Sequence, residues 1–393
     1  MTHDKLTVPR PEAHDLSFRD WIGGLCQRVL EGGAVSPDEA ARMLDATGAD
    51  TWDLFAAANR VREAFQGLDV HLCSIVNAKS GLCSEDCGFC SQSAHFASPV
   101  PEYKLVSADE CTRHAEAAKA RGSQALGIVA AWRGLKKGKV LDDVLDRIRA
   151  VAAVEGVNAD ASLGLIDDPE IPALLKQAGL VTYNHNLETS RSHFGSVCTS
   201  HSYDDRVQTL KLLKQAGVST CSGGIFGMGE TRQDRVDLAF ELKALDTDVI
   251  PMNFLNPMEG TPMEDSALLP PMEALRTVAM FRMVNPRTEI MLAGGREVVL
   301  RDLQPLMFAA GASASMAGHY LTSGGRETAS DWHMIRDLEM DYRPEGAERP
   351  PSEIDRLAGR LPEPTAANIR AGGAQVHGGN RNRSLPVLSA PVK

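Results

Sequence analysis

Eight short apolar runs alternate with amphipathic helical stretches between residues 71 and 319, and this alternation most narrows the folds open to the chain. The runs cover residues 71–77, 124–131, 158–165, 180–187, 218–226, 248–256, 288–294 and 312–319. Each has strand length, while the segments between them carry helical periodicity, as in Leu141, Val144, Leu145, Ile148 and Val151 on one helix face. The hexapeptide Leu-Leu-Lys-Gln-Ala-Gly occurs at 174–179 and again at 212–217, each time closing a helix with glycine just before a strand. Eight strands and their helices in roughly 250 residues have the size and rhythm of a (β/α)8 TIM-type barrel. An open doubly wound sheet is the alternative.

Residues 1–65 read as an N-terminal helical extension, in which Ser36-Pro37-Asp38-Glu39 supplies an N-cap, a proline at the first helical position and the glutamate of a capping box. Ser107-Ala108-Asp109-Glu110 opens another helix in the same way. The barrel is expected over 66–344. From 345 to 393 the chain is rich in Pro, Gly, Ala and Arg without apolar periodicity, which predicts a low-order tail. With 393 residues, 43% of them hydrophobic and 24% charged, the composition is that of a globular chain with a large core. A net charge of -11 argues against a general nucleic-acid surface. No apolar run reaches membrane-spanning length and the first residues have no signal-peptide core, so a cytoplasmic protein with no membrane or nucleic-acid partner is expected. Eight cysteines in so long a chain make no disulfide scaffold, and three in one loop fit a reducing compartment.

Those three are Cys83, Cys87 and Cys90, within a loop from Gly81 to Ser91. Their C-x3-C-x2-C spacing offers soft thiolates to three irons of a cubane [4Fe-4S] cluster and leaves the fourth iron open to a substrate. Structural zinc wants four closed ligands, usually as two separated pairs, and no matching pair follows downstream. Accidental burial of thiols is the other alternative, but the Ser, Glu, Asp and Gly between them make a polar loop.

Barrel enzymes place their sites at the C-terminal ends of strands. Unusual polar residues fall there repeatedly: the cysteine loop after the first run, Asn184-His185-Asn186-Leu187-Glu188 at the fourth, a glycine-rich stretch from Cys221 to Glu230 at the fifth, Asn253 at the sixth and Arg296 at the seventh. Asn184 and Asn186, two apart on a strand, would turn both amides into the barrel mouth, or would cap a turn. The glycines after Cys221 would let backbone approach a ligand closely. Arg296 reads equally as a surface ion pair with Glu297.

The cysteine segment resembles the signature of the radical S-adenosylmethionine enzymes, in which the open iron chelates the amino acid part of that cofactor. From about residue 40 to about 340 the chain resembles the biotin synthases, through Cys-Ser-Glu-Asp-Cys-Gly-Phe-Cys-Ser-Gln-Ser (83–93), Tyr-Asn-His-Asn-Leu-Glu-Thr-Ser (183–190), Cys-Ser-Gly-Gly-Ile (221–225), Met-Gly-Glu-Thr (228–231) and Ala-Gly-Gly-Arg-Glu (293–297). The resemblance implies that Cys83, Cys87 and Cys90 hold the [4Fe-4S] cluster, and that a donor such as flavodoxin or ferredoxin reduces it. It implies that a 5′-deoxyadenosyl radical takes hydrogen from dethiobiotin and that sulfur insertion then closes the ring of biotin. Asn184, Asn186 and Asn253 would surround the substrate's ureido ring, Glu188, Arg206 and Asn186 would hold S-adenosylmethionine, and the working form would be a homodimer. A maturase or mutase of the same superfamily and an iron-sulfur electron carrier are the rival readings.

The chain departs from the family at the sulfur source. Many biotin synthases hold a second, [2Fe-2S] cluster with cysteines on the second, third and fifth strands and an arginine on the seventh. Here Cys221 and Arg296 match that pattern, whereas Gly127 and Asp160 stand at the other two positions. The segments around Cys73 and Cys198 resemble a second variety of the family. The expectation is an auxiliary iron-sulfur cluster, [2Fe-2S] or another type, on Cys73, Cys198 and Cys221 with Arg296 nearby, the alternative being that Cys73 and Cys198 are buried thiols. Cys26 and Cys111 fall on predicted helices and read as core.

Overall fold

The first helix begins at Phe18 because Ser17 caps it, accepting a hydrogen bond from the Asp20 amide. The computed structural model describes residues 17–340 apart from His319, Thr322 and Ser323, so the tail expected at 345–393 and the first sixteen residues lie outside the described part. Three helices precede the first strand: α1 (Phe18–Leu30), α2 (Pro37–Leu44) and α3 (Ala49–Gln66). Ser36 and Glu39 form the reciprocal cap read from the sequence, each side chain accepting from the other's backbone amide.

Eight parallel strands follow and close on themselves: β1 (His71–Lys79), β2 (Ala125–Ala130), β3 (Asn158–Ser162), β4 (Leu180–Asn184), β5 (Ser219–Cys221), β6 (Val249–Phe254), β7 (Glu289–Leu292) and β8 (Ala314–Met316). Neighbours in sequence are neighbours in the sheet, and β8 pairs back to β1 with His71 opposite Ala314. The structure is therefore the closed barrel and not the open sheet. β2 to β8 are each shorter than their apolar runs because backbone pairing ends where the strands splay into loops at the mouth, whereas β1 runs two residues beyond its own, to Lys79. The run 158–165, for example, continues past β3 into a separate two-stranded pairing of Leu165–Ile166 with Gly134–Leu135.

The outer layer comprises α4 (Ala108–Ala120), α5 (Lys139–Ala152), α6 (Ile171–Gln177), α7 (Tyr203–Gln215), α8 (Arg232–Ala244), α9 (Pro271–Val284), α10 (Arg296–Leu300), α11 (Leu306–Ala309) and α12 (Thr328–Asp337). The face of α5 read from its periodicity is the buried one. Both copies of the repeated hexapeptide end their helix as expected, with Gly179 at φ 104° and Gly217 at φ 68°. Between helices and sheet lies the large apolar core, while Cys73, Ala125, Met291 and Ala314 pack together within the barrel.

One strand is interrupted. β5 stops at Cys221 and resumes at Gly224–Phe226 alongside β6, and a Cβ at the intervening Gly223 would collide with the Pro251 carbonyl. The sequence reading gave these glycines to ligand approach. The structure shows that Gly223 instead lets two strand backbones meet.

Candidate active site

The cysteine loop leaves β1 through Gly81 and Leu82, both in the left-handed region at φ 73° and 54°. It is folded on itself by hydrogen bonds from the Cys83 amide to the Gln92 carbonyl at 2.9 Å and from the Ala94 amide to the Cys83 carbonyl at 2.7 Å. It is also fastened to the loop after β4. Gly88 donates to the Val197 carbonyl at 2.8 Å, and the Asp86 carboxylate accepts from the amides of Thr199 and Ser200, each at 2.9 Å, and from the Thr199 hydroxyl.

Cys83, Cys87 and Cys90 line a cavity of about 380 Å³ at the C-terminal mouth of the barrel, and they are the only cysteines among its lining residues. Burial pushes the Cys83 thiol up and that of Cys90 to about 11, so ionising them as ligands calls for a cation in the cavity. Three soft donors with no fourth thiol in the lining fit a cubane with one open iron.

Asn184, Asn186 and Asn253 line the same cavity. Asn184 ends β4; Asn186 lies just beyond it, yet the backbone pairing persists because Leu187 donates to the Gly223 carbonyl at 3.0 Å. The Asn186 side chain accepts from the Gly223 amide at 3.2 Å. Asn253 accepts from the Gly294 amide at 2.9 Å and donates to the Gly224 carbonyl at 3.3 Å, so its amide is oriented from two neighbouring strands.

Glu188 and Arg206 meet at one wall of the cavity. Arg206, on α7, is 6% exposed and donates to Glu188 Oε1 at 3.1 Å, to the Asn186 carbonyl at 2.7 Å and, through Nε, to His201 at 2.8 Å. Its Nη2 lies 3.8 Å from Cys87 Sγ. Glu188 is buried at φ 70°, and its Oε2 has no hydrogen-bond partner. Burial pushes its carboxyl up against the opposing pull of Arg206. Glu188 lines the cavity, and its carboxylate is suited to accept from a ligand hydroxyl.

The sequence reading passed over Glu85, Asp86 and His201. Glu85 and Asp86 stand between the cysteines and registered only as polarity, and their partners on the loop after β4 lie more than a hundred residues away. Glu85 accepts from Arg133 at 2.9 Å, from Ser200 at 2.7 Å and from His201 Nδ1. Glu85, Cys198 and His201 bring three donor atoms within 4.8 Å of one another, a spacing that could hold a metal ion. Both ring nitrogens of His201 are already engaged, Nδ1 by Glu85 and Nε2 by Arg206, so this group works as a hydrogen-bonded brace for the cysteine loop. His185, buried between the two asparagines with Nε2 unpartnered, is held neutral because burial pushes its pKa well down.

The set expected to hold an auxiliary cluster is divided. Cys73 and Cys221 lie inside the barrel, where a charge on Cys73 bears on Cys221, with burial the main cause of their raised pKa values. Cys73 is six residues before the end of β1, about 20 Å below the mouth. Cys198 is elsewhere: its sulfur is 3.7 Å from Cys87 Sγ and 3.2 Å from Asp86. Arg296 does not enter the barrel either. It opens α10, is 1% exposed, and donates to Asp331 and Gln304 at 2.6 Å each, while Met291 of β7 packs against Cys73. Asp160, whose carboxyl burial pushes up to about 7, and the His71–Glu289 pair at 2.8 Å complete the surroundings. Two thiols alone do not make the four-cysteine set of an ordinary [2Fe-2S] site.

Comparison with known proteins agrees with this geometry. The model of the radical SAM superfamily matches residues 79–242, and that of the biotin and thiamin synthesis associated domain matches 251–341. Among solved structures, methylornithine synthase superposes with a TM-score of 0.70 at 19% identity, covering 81% of this chain and 97% of that one. A maturase of the [FeFe]-hydrogenase gives 0.71 at 17%, covering 84% and 77%. Both share the fold. Biotin synthase of Geobacter metallireducens is 47% identical over 316 residues, 80% of this chain and 96% of the relative. That of Geobacter sulfurreducens is 46% identical over 319 residues, 81% and 97%. With near-complete coverage of these relatives, and the three-thiol loop and asparagines around one cavity, the chain belongs to the biotin synthase family.

Proposed function

We propose that the cavity at the barrel mouth converts dethiobiotin to biotin, with Cys83, Cys87 and Cys90 as the protein ligands of a [4Fe-4S] cluster. The observation that carries this reading is that the three thiols and the three asparagines line one cavity. When bound, the reduced cluster and S-adenosylmethionine supply the 5′-deoxyadenosyl radical that takes hydrogen from the substrate. The chain's own residues bind and orient. Glu188 Oε2 accepts from a ribose hydroxyl, and Arg206 holds the Glu188 carboxylate in place while presenting charge beside Cys87. Asn184, Asn186 and Asn253 offer neutral amides to a neutral ureido ring, which avoids the cost of burying a charge against it. The dipoles of Asn186 and Asn253 are fixed by backbone before the substrate arrives, so little ordering remains to be done on binding.

For the auxiliary iron-sulfur cluster of the family, Cys73 and Cys221 are the thiols within the barrel that would contribute ligands, short of the four-cysteine [2Fe-2S] set, while Cys198 and Arg296 lie apart from them. Eight free cysteines suit a reducing cytoplasm, and no described helix is long and apolar enough to cross a membrane. A one-electron donor such as flavodoxin or ferredoxin and a homodimeric working form rest on the family resemblance.

The reading is tested by incubating anaerobically reconstituted protein with S-adenosylmethionine and dithionite, with and without dethiobiotin. Formation of 5′-deoxyadenosine that depends on dethiobiotin, together with biotin, is expected; 5′-deoxyadenosine formed regardless of dethiobiotin contradicts it. Cys73→Ser and Cys221→Ser are each expected to lower iron and sulfide per chain beyond one cubane, and Cys198→Ser to leave both unchanged. A loss in Cys198→Ser as well would restore the ligand set read from the sequence, and unchanged content in Cys73→Ser and Cys221→Ser would contradict this assignment.

A further inference from the structure

We propose that Cys87 and Cys198 are a redox pair: in protein that has lost its cluster, they close a reversible disulfide that spares Cys87 from irreversible oxidation. The proposal rests on Cys87 being a cluster ligand, which iron content tests independently.

The two sulfurs are 3.7 Å apart and both side chains are buried. The backbones on either side are pinned across the same gap. Gly88, next to Cys87, donates to the carbonyl of Val197, next to Cys198, at 2.8 Å. On the other flank, Asp86 accepts from the Thr199 and Ser200 amides at 2.9 Å each. A disulfide bond is about 2.05 Å long, so closing it asks the sulfurs to approach by roughly 1.7 Å, across a gap whose flanking backbones are already held together. Cys87 faces the cavity and is reachable by a small oxidant, whereas Cys198 is absent from the lining and stands behind it. That order, an accessible thiol backed by a second one, is the arrangement of an attacked and a resolving cysteine.

The chemistry balances with hydrogen peroxide as oxidant. Cys87 gives up its thiol proton as its sulfur attacks one peroxide oxygen, the O–O bond breaks, and one water leaves as a sulfenic acid forms. Cys198 then attacks the Cys87 sulfur, the S–S bond forms, and the sulfenic oxygen leaves as a second water. Two thiols lose two electrons in all, and one peroxide is reduced to two waters. A dithiol reductant reverses the bond by exchange and returns Cys87 to the cluster-binding form. Without Cys198 the sulfenic acid loses the thiol clamped beside it at 3.7 Å and proceeds to the sulfinic level, from which a dithiol recovers nothing.

The full chain, stripped of iron with a chelator, is treated with hydrogen peroxide, alkylated and digested without reduction. The expected product is a peptide pair joined through Cys87 and Cys198. After dithiothreitol, iron and sulfide reconstitution should restore wild-type iron to the level of untreated protein, while Cys198→Ser and Cys198→Ala recover at least about threefold less, having been lost to sulfinic acid. Linkage of Cys87 to Cys83 or Cys90 instead, no Cys198 linkage at all, or equal recovery by the Cys198 variants overturns the proposal. Retention of a full cubane by untreated Cys87→Ser would overturn the ligand reading instead, since the disulfide map is read on iron-free protein.

Discussion

At the scale of single residues, two side chains show how burial separates function from support. Glu188 combines a left-handed backbone, burial and a carboxylate oxygen without a partner, a costly arrangement that a bound hydroxyl donor would relieve. Glu188→Gln keeps the shape but weakens the acceptor; S-adenosylmethionine affinity, measured by equilibrium dialysis, is expected to fall on the order of tenfold with iron content unchanged. Arg296 is the opposite case. Its short bonds to Asp331 and Gln304 occur where neither Arg296 nor Asp331 is more than 1% exposed, so Arg296→Met strands a buried carboxylate. A loss of about 3–5 kcal/mol in urea unfolding is expected, with iron and sulfide per folded chain unaltered. The sequence put the three thiols on one short loop, while Glu188 and Arg206 were named through the family resemblance alone; the structure brings all five to the lining of one cavity. The sequence misplaced Cys198 and Arg296 because membership of a strand-end segment does not say which wall a side chain joins. Cys198 turned to the cysteine loop through Asp86, and Arg296 turned away from the lumen at a helix start.

At the scale of elements, all eight strands were legible from their apolar runs, but the break in β5 was not, because it depends on how closely β6 approaches. Gly223 permits that approach and also donates to Asn186, so Gly223→Ala should push the two strands apart. A loss of about 2–3 kcal/mol, seen as a lower Tm, is expected together with weaker dethiobiotin binding. A second junction joins α8 to α9. Glu273 accepts from Arg232 at 2.8 Å, from Arg235 at 2.8 Å and from Arg276 at 2.7 Å. Burial alone would raise its carboxyl, but the arginines overcome it and lower it from 4.5 to about 2. A carboxylate depressed by folding stabilises fully above its unfolded value and loses that contribution as pH falls through the folded one. Between pH 4.5 and 2 the wild type should therefore lose stability more steeply than Glu273→Gln, as read from urea midpoints across that range.

At the scale of the whole molecule, the closed barrel brings together segments far apart in sequence. The cysteine loop follows β1, its brace follows β4, and the asparagines come from β4 and β6, yet one cavity receives them all. The order of strands was readable, and with it which strand ends would meet; the hydrogen-bonded brace was not, because Glu85 and His201 acquire a meaning only once the two loops touch. The central claim is that the three thiols leave one iron open beside the asparagines. Its most direct test is hyperfine spectroscopy on the reduced, reconstituted protein with S-adenosylmethionine labelled at its amino nitrogen and carboxylate. Coupling of both labels to a single iron of the cluster is predicted, lost in Cys87→Ser. A full cluster that shows no coupling to either label would contradict the account.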